Sequence, residues 1–114
     1  MREERPWGFY EVLEEAPGYK LKRITVKPNS KLSLQRHTYR NETWIMISGV
    51  GIITHSSVDF ILPGEFHHIP AGDIHRMANP SPSVDVVFYE VQRGDRLDEN
   101  DIERIADDYG RVPS

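Results

Sequence analysis

The sequence predicts an all-β sandwich or barrel. Alternating and β-branched runs recur along the chain, and Gly or Pro separates them at short intervals. Many short strands broken by such turns favour two packed sheets or a closed barrel. Strands or strand pairs are expected over residues 8–14, 19–27, 32–38, 43–55, 58–62, 66–69 and 84–92. The turns between them fall at Pro17-Gly18, Pro28-Asn29, Gly49, Pro63-Gly64, Ala71-Gly72 and Asn79-Pro80, where Gly and Pro punctuate the backbone. On the strand over 19–27, Lys20 and Lys22 share a face with Ile24 and Val26. If that apolar pair faces the interior, the lysines face its mouth. The tail reads differently. Asp98 suits an N-cap, and Asp101 follows three residues later, a weak variant of the capping box. Ile102, Ile105 and Ala106 fall on one helical face before Gly110, so a short helix over about 99–108 is expected outside the barrel.

Composition narrows the class. The chain has 114 residues, which suits one domain (residues 1–114) with its own apolar core. It has no cysteine, so neither a disulfide framework nor a thiolate metal site can form. The formal charge of −4 argues against nucleic acid as the main partner. No apolar run approaches the roughly 18 residues of a membrane helix. The charged opening Met1-Arg-Glu-Glu-Arg-Pro lacks the apolar stretch of a signal peptide. A cytoplasmic protein is expected.

Two segments carry the chemistry. The first is Gln35-x-His37-x4-Glu42-x6-Gly49; the second is Gly64-x5-Pro70-x-Gly72-x2-His75-x3-Asn79. They resemble the two motifs of the cupin superfamily, with Gln35 in place of the family's opening His and Asn29 in place of its opening Gly. The resemblance implies a double-stranded β-helix, a jelly-roll barrel, with Gln35, His37, Glu42 and His75 as metal ligands. The residues agree physically. Gln35 and His37 are two apart on a strand and share a face. Glu42 follows a polar bend over Thr38 to Asn41, and His75 follows a Pro-x-Gly turn. Two imidazoles, a carboxylate and an amide oxygen suit Zn²⁺, Mn²⁺, Fe²⁺, Co²⁺ or Ni²⁺. His67 and His68 are adjacent on a strand, so both cannot enter one site.

The resemblance extends to one family. The stretches Arg5 to Leu13, Tyr19 to Val26, Leu32 to Gln35, Ile69 to Gly72, His75 to Pro80, Glu90 to Gly94 and Asp101 to Arg111 together resemble the type II mannose-6-phosphate isomerase domain. In that family the domain commonly follows a guanylyltransferase domain. Here no Gly-rich nucleotide loop precedes the barrel, so a stand-alone domain is expected. The resemblance implies conversion of mannose 6-phosphate to fructose 6-phosphate with a divalent metal, usually zinc. It implies a catalytic role for Arg40, an arginine that the family places beside its metal motif. Lys22, Tyr39 and Arg111 are the candidate substrate-binding residues, the cations for a phosphate group. The chain departs from the family at Tyr39 and Thr43, where histidines are usual. Tyr39 is expected on the inward face with Gln35 and His37. A non-catalytic module that binds metal and sugar is the rival reading. A homodimer is the expected assembly, with Trp7 and Phe9 offering an apolar contact.

Overall fold

A computed structural model describes residues 2–110. It is built from strands β1 (Arg2–Arg5), β2 (Gly8–Ala16), β3 (Tyr19–Val26), β4 (Ser30–Lys31), β5 (Leu34–Arg36), β6 (Arg40–Ser48), β7 (Gly51–His55), β8 (Ser57–Ile61), β9 (Phe66–Ile69), β10 (Arg76–Asn79), β11 (Val86–Gly94) and β12 (Glu103–Ala106). A six-stranded sheet runs in the order β1-β2-β3-β11-β6-β9, and a four-stranded sheet in the order β4-β10-β7-β8; β12 pairs with β5. The all-β expectation holds. No described helix is long and apolar enough to cross a membrane.

Register decides what the interior contains. Ile24, Phe88 and Met46 form one row across β3, β11 and β6. The next row along is Lys22, Glu90, Trp44 and His67, and the next is Lys20, Gln92, Glu42 and Ile69. Antiparallel partners point to the same side of a sheet, so every member of a row faces inward together. The apolar end gathers Val26, Met46, Met77, Val86 and Phe88, all at most 1% exposed. The same three long strands then turn polar toward the other end, with Lys22, Glu42, Glu90 and Gln92 also buried. Across β3 and β11 the pairing runs without a register shift from one end to the other. Only the chemistry of the inward residues changes.

The expected helix over 99–108 is absent among the described residues. Glu103, Arg104 and Ala106 instead pair with Arg36, Gln35 and Leu34 of β5. An unpaired strand leaves its backbone groups unsatisfied, and this pairing supplies partners that a helix would not. Ile105 is 38% exposed, so the apolar residues of the tail do not share one buried face. Asp98 does cap, but it caps a turn: its carboxylate accepts from the Asn100 N–H at 3.1 Å. Trp7 is not a surface contact either. It is 6% exposed in the core, while Phe9 lies under the Arg2 guanidinium at 3.6 Å.

The apolar end carries the stability. Phe88 is fully buried and packs against Trp44 at a centroid distance of 5.2 Å, with the ring planes tilted by 55°. Phe88→Ala should cost about 3–5 kcal/mol in urea unfolding. A loss below about 1 kcal/mol would mean the interior collapses around the change instead of holding a cavity.

Candidate metal centre

The polar end encloses a cavity of about 100 Å³, with Lys22, Gln35, His37, Arg40 and Glu90 in its wall. Glu42 lies at the centre of the cluster. It is 1% exposed, and its two oxygens face two imidazoles. Oε2 is 3.2 Å from His37 Nε2, and Oε1 is 3.6 Å from His75 Nε2. One donor atom from each of the three residues can be chosen so that all lie within 4.8 Å of one another.

Backbone carbonyls fix both rings. His37 Nδ1 lies 2.6 Å from the carbonyl oxygen of Asp101, and His75 Nδ1 lies 2.9 Å from that of Asp73. A carbonyl can only accept, so each Nδ1 carries the proton and each Nε2 presents a bare lone pair. This is the arrangement in which ligating histidines are held. His75 Nε2 is buried and has no hydrogen-bond partner among the described residues. A buried polar atom left unsatisfied is costly, and a divalent ion would satisfy it. His37 Nε2 has one partner, the Arg40 Nη2–H at 3.2 Å. The His37, Glu42 and His75 donor set therefore fits a borderline divalent metal.

Gln35 is brought to the same place. Its backbone bonds to that of His75 in both directions, at 3.0 and 2.8 Å, and its side chain is buried in the cavity wall. Arg40 lies against the cluster, as its spacing suggested. Its Nε donates to Glu42 Oε2 at 2.8 Å, and its Nη2 forms an ion pair with the same oxygen at 2.7 Å. A neutral His37 lone pair and a carboxylate oxygen at 3.2 Å repel unless positive charge lies between them. Arg40 Nη2 now supplies that charge. Lys22 is inside as well, but its Nζ already meets Glu99 Oε2 at 2.8 Å and the Tyr10 ring at 4.0 Å.

Tyr39 is not in the cavity wall. Its side chain is 50% exposed and lies beneath the Arg96 guanidinium. Strand β5 ends at Arg36, so alternation no longer governs position 39. The chain bends there because the Asp101 carboxylate accepts from the Thr38 and Tyr39 N–H groups at 2.8 and 2.9 Å. Arg111 lies outside the described residues. Of the paired histidines, His67 faces inward opposite Trp44, and His68 faces outward against Thr43 Oγ1. The sequence reading assigned no role to Glu90, which accepts from Gln92 Nε2 at 2.7 Å and Trp44 Nε1 at 3.1 Å. Burial above all, then the Glu42 charge, pushes the Glu90 carboxyl upward. Its signal was available: Glu90 and Gln92 continue the inward alternation of Val86 and Phe88.

Comparison with known proteins places this geometry. The family model described as "Mannose-6-phosphate isomerase C-terminal" matches residues 1–107. The chain belongs to that family. It is 43% identical to the alginate biosynthesis protein AlgA of Pseudomonas aeruginosa over 109 residues, 95% of this chain but 22% of that protein. It is 38% identical to a mannose-1-phosphate guanylyltransferase of Escherichia coli, over 95% of this chain and 23% of that one. The chain thus spans less than a quarter of the length of these relatives. Among solved structures, a cupin-superfamily sugar phosphate isomerase from Silicibacter pomeroyi superposes with a TM-score of 0.68 at 19% identity, covering 78% of this chain and 59% of that one. At that identity the likeness shows the cupin fold alone.

Histidine burial sets a pH dependence for the metal-free protein. Burial, then the Arg40 charge, lowers the His37 imidazole to about 4, against about 6.5 for the free side chain. Between those values the unfolded chain binds a proton that the native chain does not. This contribution therefore falls as pH drops from about 6.5 to about 4. His75 acts in the same direction and Glu90 in the opposite one, so a variant isolates the His37 share. Between pH of about 7 and about 4, wild type should lose on the order of 3 kcal/mol more than His37→Gln in urea unfolding. Equal losses would place the His37 proton on the native ring.

Proposed function

We propose that the chain is a metal-dependent sugar-phosphate isomerase, interconverting mannose 6-phosphate and fructose 6-phosphate, with Gln35, His37, Glu42 and His75 holding the metal. One observation carries this reading: two imidazole lone pairs, fixed by backbone carbonyls, converge on one buried carboxylate beside a cavity walled by cations. The family's description and the names of its relatives support the substrate class. Zinc is the metal we favour, and the donor set also accepts Mn²⁺, Fe²⁺, Co²⁺ or Ni²⁺.

When bound, the metal would act as a Lewis acid on the sugar's carbonyl and adjacent hydroxyl oxygens. The chain's own residues supply the rest. Arg40 can turn its donors from Glu42 to the oxygens that gain charge as the enediolate forms, the point where fixed donors matter most. Lys22, with Lys20 beside it, is the cation pair for the phosphate. Glu99 now occupies that pair as an internal anion, 2.8 Å from Lys22 Nζ and 3.8 Å from Lys20 Nζ. An entering phosphate would displace it. Two carboxyls outside the ligand set line the cavity, Glu90 and Glu99; the lysines hold Glu99, so we assign Glu90 the proton carried between the two carbons. Tyr39 is turned to solvent and takes no part in this scheme.

The test is an assay of the metal-loaded protein with mannose 6-phosphate, coupled to fructose 6-phosphate detection. Turnover should vanish with a chelator and with His75→Ala, while the variant stays folded. Arg40→Ala should lower turnover by about 10²–10³-fold, yet hold the metal more tightly because the competing cation is gone. Absence of turnover in every metal form, with mannose 6-phosphate still raising the melting temperature, would leave a sugar-binding module in place of an enzyme.

Phosphate recognition has its own check. Glu99→Gln should tighten inorganic phosphate binding several-fold, and Lys22→Met should weaken it, both by titration calorimetry. If both variants bind phosphate like wild type, the anion sits elsewhere.

A further inference from the structure

A second group of imidazoles lies apart from the His37, Glu42 and His75 cluster. His55 ends β7 in the four-stranded sheet, and His67 lies in β9 at the edge of the six-stranded one. Register brings them together. Met77 pairs with Ile53, and both are buried, so the next inward position on β7 is His55. His67 is the partner of Trp44, which is 1% exposed. His55 Nδ1 and His67 Nε2 are 2.8 Å apart, with the ring planes at 86°. On its other side His55 Nε2 meets Asp73 Oδ2 at 2.8 Å.

This geometry prepares a ligand. The Asp73 carboxylate accepts the Nε2 proton of His55, which leaves the lone pair of the neutral ring on Nδ1. A carboxylate behind an imidazole also raises its strength as a donor to metal. A carboxylate lies on the same side of that sheet. Asp59 pairs with Ile53 across β7 and β8, on the same side of β8 as buried Ile61. Asp59 and His67 line one cleft of about 460 Å³. Burial most strongly, then the His55 ring, lowers the basicity of His67, and the Asp59 charge acts the other way.

We propose that His55 Nδ1 and His67 Nε2 form a second divalent-metal site, with Asp73 orienting His55. Two imidazole nitrogens select Zn²⁺, Co²⁺ or Ni²⁺ over Mg²⁺ or Ca²⁺. Two metal–nitrogen bonds of about 2.1 Å at ordinary angles span roughly 3.0–3.4 Å. The rings need open only slightly from 2.8 Å. His67 gives up the proton on Nε2 and carries one on Nδ1 instead, so no net proton is released. The ion would join the two sheets where β8 and β9, both edge strands, meet without pairing. This site does not depend on the isomerase reading.

The experiment is a Co²⁺ titration of the chelator-stripped full chain, read by equilibrium dialysis and visible absorption. Wild type should take two equivalents, and His75→Ala should keep one. His67→Ala should lose the other. Asp73→Asn should weaken the second equivalent by about 10–100-fold. Imidazole ¹⁵N spectra of wild type with Zn²⁺ should move the His55 and His67 signals together, and this result decides if a variant does not fold. A single equivalent in wild type, a second equivalent that survives His67→Ala, or unmoved His55 and His67 signals would each overturn the proposal.

Discussion

The Glu42 carboxylate is 1% exposed, and the rest of the polar interior follows from that burial. A carboxylate taken out of water costs several kcal/mol unless positive charge and hydrogen bonds replace the water. Arg40 supplies the charge through one hydrogen bond and one ion-pair contact, and Trp44 Nε1 supplies another donor at 3.1 Å. Arg40 is itself only 6% exposed, so its guanidinium in turn requires anions. Glu90 is the second one, and it is kept from solvent by Gln92 and Trp44. Each group is tolerated because its neighbours are present. A divalent ion at His37 and His75 would bring charge to the same carboxylate that Arg40 now neutralises. Such an ion would compete with Arg40 for this one anion.

Such a network adds little to stability, because paired buried charges roughly recover their own desolvation. Stability has to come from the other end of the same strands, where Val26, Met46, Met77 and Phe88 are packed away from water. This division explains how β3, β6 and β11 hold both a core and a site. The strands are long enough to keep one alternation through two chemical environments. The site needs no loop to position Glu42, Lys22 or Glu90, because register alone sets their heights.

What the sequence revealed and what it concealed follow from range. His37, Glu42 and His75 were legible because their spacing belongs to two short local segments. The strands were legible because alternation is local too. Tyr39 was misplaced because alternation holds only while a strand lasts, and the bend that ends it is held by Asp101, 62 residues further along the chain. The tail was misread for the same reason. Ile102, Ile105 and Ala106 satisfy a helical period, but the pairing with β5 is non-local and leaves no mark on the period. Trp7 looked available because nothing nearby in sequence reveals what covers it. Glu90 was readable, since it continues the alternation of its strand, but a polar residue in a core position reads as a site only once its neighbours are known.

The two aspartates that orient the histidines act in the same way. Asp101 gives its carbonyl to His37 and its carboxylate to the Thr38 and Tyr39 N–H groups. Asp73 gives its carbonyl to His75 and its carboxylate to His55. For His37 and His75 the contact that sets the imidazole tautomer is made by main chain, which no side-chain substitution removes. The side chain fixes where that main chain lies. The placement of the candidate ligands His37 and His75 therefore rests on the ordering of two short segments, one after Pro70 and one before β12. It does not rest on any residue dedicated to the ligand alone. Changes in either segment act on the imidazoles through the position of a carbonyl, and this places the control of the site at the rim of the barrel, outside its core.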